Sequence, residues 1–270
     1  MQPLVSVVMA AFNAGQYLRQ SIESLLGQSF SNWELLVTND GSTDDTESIL
    51  QSYHDDRIKV FSQENTGVSA ARNKGLEQMQ GKYFTFLDAD DTLPINSFEI
   101  RTNFAEQHPE VDIVSGAVLF FRNTKHEQIW HPEFRGDPFP LFIRNDKRVF
   151  CNPALFIRRK PSISYKFRVG MTHVEDLLFF TSIAQQIRHQ YDYVEEIVYN
   201  YRLSDTSAMK NLEQLEKGYW TFYETVKNFP NVKLSEANYL KRRIIRIMFL
   251  SYLTAGKFGN AAKMGFKVIK

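Results

Sequence analysis

Four strand-like runs, Val5 to Met9, Glu34 to Thr38, Ile58 to Phe61 and Lys82 to Leu87, alternate with helical stretches inside the first ninety residues. The connections between them are too long for hairpins, and the first carries Tyr17, Leu18, Ile22, Leu25 and Leu26 at spacings of three to four, a single apolar stripe ending at Gly27. Consecutive parallel strands need such crossovers, so the pattern predicts an α/β fold with a mostly parallel, Rossmann-like sheet flanked by helices. Val68 to Met79 reads as the third crossover helix, and Ser42, Thr43 and Asp44 read as the capped start of the second.

Beyond Pro94 the sequence predicts a helix to about His108 and a strand over Ile113 to Phe121. From Arg122 to Ser164 it mixes Pro, Asn, Gly and aromatics without periodicity, so loops and short strands are expected there. Glu175 to Gln186 reads as a helix, Tyr193 to Tyr201 as a strand, and everything after Ala208 as helical with a break near Pro230. A chain of 270 residues with 43% hydrophobic content buries a sizeable core, and a net charge of +1 argues against nucleic acid as a partner. Cys151 is the single cysteine, so no intrachain disulfide forms, and a cytoplasmic location is expected.

The strand ending at Leu87 runs straight into Asp88-Ala89-Asp90-Asp91. Three carboxylates within four positions repel one another unless a cation sits among them, and a hard divalent ion with phosphate oxygens meets that need. In open α/β sheets ligands bind beyond the carboxyl ends of the strands, where this cluster falls. A second acidic pair, Glu175-Asp176, opens the later helix. Read alone, that pair does no more than favour a helix N-terminus through the macrodipole.

Four ordered elements carry a resemblance: Ser6-Val7-Val8-Met9-Ala10-Ala11-Phe12-Asn13, Thr38-Asn39-Asp40-Gly41-Ser42-Thr43-Asp44, Asn65-Thr66-Gly67-Val68-Ser69-Ala70-Ala71-Arg72-Asn73, and Leu87-Asp88-Ala89-Asp90-Asp91. With Glu175-Asp176 following, the chain resembles the glycosyltransferase family 2 enzymes of the GT-A fold. It departs from the family's common pattern in having Ala-Ala-Phe-Asn at 10–13 for Pro-Thr-Tyr-Asn, and Asn39 for the first acid of an Asp-Asp pair, which removes one negative charge.

The resemblance implies an inverting transferase that moves a sugar from a nucleotide-diphosphate sugar, with a UDP-sugar favoured, to a glycan or lipid-linked glycan acceptor in surface polysaccharide synthesis. It implies that Ala11, Asn13, Asp40, Arg72, Asp88 and Arg202 line the donor, that Asp90 and Asp91 hold Mg2+ or Mn2+, and that Asp176 is the catalytic base. Arg202 either holds the diphosphate or pairs with Asp205. Residues 1–207 are expected to form the catalytic domain, with 1–92 binding the nucleotide and 93–207 the acceptor, and residues 208–270 a helical extension. A non-catalytic nucleotide-sugar-binding or scaffold protein of the same fold is the alternative.

Basic character is concentrated at the end of the chain. Lys233, Lys241, Arg242, Arg243, Arg246, Lys257, Lys263, Lys267 and Lys270 face Glu236 as the one acid of the last forty residues. No segment is long and apolar enough to span a bilayer. Two readings of the helix from Tyr239 to Leu253 stand side by side: peripheral contact with an anionic membrane face, or packing on the catalytic domain with its charges solvated.

Overall fold

A computed structural model describes residues 2–123, 125–149, 154–186, 188, 190–204 and 211–269, with side chains up to 265. Cys151 and the segment Asp205–Ser207 lie outside the described residues. The N-terminal half alternates as predicted: β1 (Val5–Ala11), α1 (Leu18–Leu26), β2 (Trp33–Asp40), α2 (Thr46–Gln51), β3 (Ile58–Gln63), α3 (Val68–Gln78), β4 (Tyr83–Phe86) and α4 (Ser97–Gln107). There follow β5 (Ile113–Arg122), β6 (Lys125–Trp130), α5 (Phe139–Ile143), β7 (Phe156–Arg158), α6 (Glu175–Gln186), β8 (Tyr191–Arg202), α7 (Leu212–Val226), α8 (Leu234–Thr254) and α9 (Phe258–Ile269).

These strands form one sheet in the order β3-β2-β1-β4-β7-β5-β6, with β8 on the other edge of β5. β1 pairs in parallel with both β2 and β4, and the register sets Ala11 opposite Asn39 and Val8 opposite Phe86. The carboxyl ends of β1, β2 and β4 therefore share one edge, and the strand order reverses direction at β1, which opens a crevice there. β7 runs antiparallel between β4 and β5, while β8 is parallel to β5.

Alternation along β1 explains why both faces are covered. Val5, Val7 and Met9 enter an apolar cluster with α1 and Phe98 of α4, while Val8 enters the opposite cluster with Leu76 of α3, Phe84 and Phe86. That second cluster continues without a break through Leu178 and Phe180 of α6, Phe222 of α7, and Ile244 and Met248 of α8. The C-terminal helices are thus built into the same core as the sheet.

Two local expectations needed correction. Ser42 does not cap α2: its hydroxyl accepts from the Asn13 amide at 3.0 Å, whereas Asp44 serves the helix start by accepting from the Thr46 amide at 3.0 Å and also takes the Gly15 amide at 3.0 Å. Both residues tie the loop after β1 to the loop after β2. Within 122–164 a short helix, α5, joins the expected strands, because Pro138 starts a Phe-Pro-Leu-Phe-Ile turn whose apolar side chains are buried. No helix among the described residues is long and apolar enough to cross a membrane.

Candidate active site

The turn after β4 carries the acidic cluster, and the fold grips it from three sides. The Ser21 hydroxyl of α1 donates to the Ala89 and Asp91 carbonyls, and Thr92 exchanges backbone hydrogen bonds with Asn200 of β8. Tyr199 spans the turn: its hydroxyl donates to Asp91 Oδ2 at 2.8 Å and accepts from the Asp88 amide at 3.2 Å. The other oxygen of Asp91 accepts from the Arg202 amide at 2.6 Å. Asp91 is therefore buried with both oxygens engaged inside the protein, and its carboxyl is pushed well above the usual range by burial and by Asp88 and Asp90. Expected beside Asp90 as a metal ligand, Asp91 has both oxygens engaged in holding the turn.

Asp90, by contrast, is only partly buried. Its side chain takes no hydrogen bond from another described residue, and burial followed by the charge of Asp88 raises its pKa to about 6. The charge of Arg202 offsets this rise only in part. Asp88 lies beside it, 30% exposed, with one oxygen held by Arg72 Nη2 at 2.8 Å. No group of three or more His, Cys, Asp and Glu residues among those described forms a metal cage. The residues fit a hard cation held by one or two carboxylates and completed by phosphate oxygens and water.

Arg72 joins the two acidic clusters. It projects from α3, whose start is set by Gly67 at φ 92°, and its guanidinium lies nearly buried over the Phe167 ring at 5.3 Å. Besides Asp88 it binds Glu175 Oε1 through Nη1 at 3.2 Å. These carboxylates, with Asp176 nearby, outweigh the cost of burial and raise its already high pKa. A residue expected to touch the donor thus also ties the turn after β4 to the start of α6.

Asp176 sits in the first turn of α6 and accepts from the Leu177 amide at 2.6 Å. Burial, then the charge of Glu175, raises its pKa to about 7, against the opposing pull of Arg72. The residue before the pair, Val174, holds φ 65°, a conformation that a β-branched residue adopts only under constraint. The constraint comes from α7: a Cβ on Gly218 would stand 2.4 Å from the His173 carbonyl, so only glycine lets the helix press that close. His173 itself is buried, with Nδ1 3.0 Å from the Thr172 hydroxyl.

Other expected donor residues are placed more indirectly. Asp40 is buried, with Oδ1 accepting from Gln63 Nε2 at 2.7 Å and the Thr66 amide at 3.0 Å, and Oδ2 from the Gly67 amide at 2.8 Å. It braces the loop that leads into α3. Ala11 is fully buried, while Asn13, at φ 49°, accepts from the Thr43 amide at 2.8 Å. Asn39 donates to Glu47 and accepts from the Ser42 amide, so the exchange of an acid for an amide is satisfied locally. The Arg202 guanidinium lies between the Tyr17 and Phe121 rings and donates to the Asp90 carbonyl and to Gln20. It holds the acidic turn from behind.

Asp176 also lines a cavity of about 870 Å³, whose wall includes Phe120, Trp130, Tyr219, Arg243 and Arg246. Sequence reasoning had passed over Tyr199, Ser21 and Gly218. Their signal was faint: Tyr199 stands three residues before Arg202 in a Tyr-Asn-Tyr-Arg segment, but nothing in one sequence says which of its tyrosines turns inward.

A parallel sheet with its acids at one edge, continued by an antiparallel part that brings up a second acidic pair, is the GT-A architecture of nucleotide-sugar transferases. The Glycosyl transferase family 2 model matches residues 6–165, and the chain belongs to that family. It is 43% identical over 245 residues, 86% of its length and 92% of the other's, to the Bacillus subtilis (strain 168) glycosyltransferase TuaG, named for teichuronic acid biosynthesis. Among solved structures it resembles S. aureus TarS 1-349 in complex with UDP (TM-score 0.68, 19% identity, 90% of this chain and 71% of that one). It also resembles the mannosyltransferase PcManGT from Pyrobaculum calidifontis in complex with GDP-Man and Mn2+ (TM-score 0.65, 14% identity, 100% and 80%).

Proposed function

We propose that the chain is an inverting glycosyltransferase that takes a hexose from a nucleotide-diphosphate sugar, with a UDP-sugar favoured, and places it on a glycan or lipid-linked glycan acceptor in bacterial surface polysaccharide synthesis. The observation that carries this reading is the position of Asp176, linked through Glu175 and Arg72 to Asp88 on the donor side and open on its other side to a large cavity. TuaG's name supports the destination, and the UDP complex of TarS supports the donor class.

The donor lies across the carboxyl ends of β1, β2 and β4. Asp40 shapes the base pocket through the loop it braces, and Ala11 and Asn13 form its floor and rim. Asp88 and Arg72 face the ribose and diphosphate. Asp90, with Asp88 beside it, would hold Mg2+ or Mn2+, which when bound neutralises charge gathering on the leaving diphosphate. Asp91 and Arg202 keep that acidic turn in place. Asp176 takes the proton from the acceptor hydroxyl as the hydroxyl attacks the anomeric carbon on the face opposite the diphosphate. Residues 1–92 serve the donor and the rest the acceptor. We place the chain in the cytoplasm; the apolar face of α8 packs in the core, so a peripheral contact with the inner membrane face is left to exposed cations such as Arg242, Lys257 and Lys263.

The test is transfer and donor binding across uridine, guanosine and thymidine diphosphate sugars, with Mn2+ and with chelator. Asp90→Asn is expected to lose metal-dependent donor affinity and turnover together, whereas Asp176→Asn keeps donor affinity and loses turnover by about 10²–10⁴-fold. Full turnover in Asp176→Asn would end the assignment of the base.

A further inference from the structure

The cavity that reaches Asp176 is closed on its far side by α8, through Arg243, Arg246, Ile247 and Leu250. Their spacing of three, four and seven puts them on one helix face. Neither arginine has a carboxylate partner among the described residues. Arg243 is partly buried, its Nη2 donates to the Asn145 carbonyl at 2.7 Å, and its Nε is shut off from water without an acceptor. Two acids share the cavity wall, Asp176 and Asp146; Asp146 is bound by Arg148 through Nε at 3.1 Å and Nη2 at 3.0 Å, and the charge of Arg243 adds a weaker pull on it. Two guanidinium groups thus line a half-enclosed space without a salt bridge to either of its acids, and with Lys147 they leave its wall with more positive than negative side chains.

Such an arrangement is costly for a cavity wall and useful for a ligand. A guanidinium whose geometry is fixed by one hydrogen bond keeps its remaining donors for an oxyanion, and carboxylate and phosphate fit that fork. Trp130, anchored by its Nε1 donating to the Lys147 carbonyl at 3.2 Å, and Phe120 add aromatic surface of the kind that sugar rings pack against. We propose that Arg243 and Arg246 form an oxyanion subsite of the acceptor, so that the sugar brought to Asp176 bears, or is directly joined to, a carboxylate or phosphate. This inference rests on the transferase reading for the role of Asp176, but the subsite itself is a matter of binding.

The test titrates the full chain with glucose, glucuronate and glucose 6-phosphate, in the absence of donor, for the native protein and for Arg243→Lys, Arg243→Met and Arg246→Ala. The charged sugars should bind more tightly than glucose and lose that advantage as salt rises. Arg243→Met and Arg246→Ala should each weaken them roughly tenfold, leave glucose unchanged, and Arg243→Lys should recover part of the loss. Whichever charged sugar binds more tightly identifies carboxylate or phosphate as the group recognised. Arg246 is exposed, so its variant tests the subsite without endangering the fold. Equal binding of charged and neutral sugars, or charged-sugar binding that both variants leave intact, would overturn the proposal. A chain that shows the subsite yet transfers no sugar from any nucleotide donor would refute the proposed function and leave the subsite standing.

Discussion

Below about pH 7 Asp176 holds a proton that the unfolded chain releases. Its pKa of about 7 lies above the ordinary value of 3.8, so between those two values the folded state binds more protons than the unfolded one, and stability falls as pH rises through that window. The role proposed for it as base needs the ionised form, so kcat/KM should climb with pH to a plateau above about 7, along the same stretch in which the fold weakens. Asp176→Asn removes the charge and keeps an oxygen for the Leu177 amide. Its Tm should exceed that of the native protein at pH 8, with the gap closing towards pH 5; a scan at both pH values checks this. Tyr199 offers the opposite case. Tyr199→Phe leaves a buried Asp91 oxygen without its donor, at a cost of about 1–3 kcal/mol, and loosens the turn that carries Asp90. Denaturant unfolding should show the loss, and the affinity for Mn2+ together with donor should fall with it.

The start of α6 is set by another helix. Val174 is held at positive φ because α7 packs on the preceding carbonyl at Gly218, and that contact aims the Glu175-Asp176 pair. Gly218→Ala should therefore cost about 1–3 kcal/mol and lower kcat well beyond what the lost stability explains, with donor binding kept. Thermal melts beside transfer kinetics and donor titration separate the two effects. At this scale the sequence was most readable where periodicity governs. The alternation of β1 to β4 with α1 to α3, and the bounds of α6, follow from apolar spacing and from acids at a helix start. It was least readable over 122–164, where α5, β6 and β7 are short and take their form from what they pack against. The site shows the same division. The positions of Asp88, Asp90 and Asp176 were legible as strand or helix ends. The inward turn of Asp91 and the service of Arg202 behind the loop were not, because both depend on β8 arriving from more than a hundred residues away.

The molecule as a whole is held together across its chain order. Leu178 and Phe180 of α6 share one apolar cluster with Phe222 of α7 and with Ile244 and Met248 of α8, so the helical end of the chain belongs to the core that supports Asp176. A chain ending at 207 should bare that surface, bind a hydrophobic dye such as ANS and aggregate on purification. A soluble product with a native-like cooperative melt would contradict this. The site is built from stretches of separate origin. Asp88 stands at a strand end within the first ninety-two residues and meets Glu175 through Arg72, whereas the cavity beside Asp176 is walled by residues within 120–149, by Tyr219 of α7 and by the face of α8, well past the stretch matched by the family model. A cavity walled by several distant stretches of sequence can change shape in one of them while the acids of the turn after β4 stay where they are, so exchanging the α8 face alone should alter what the cavity admits and leave that turn undisturbed.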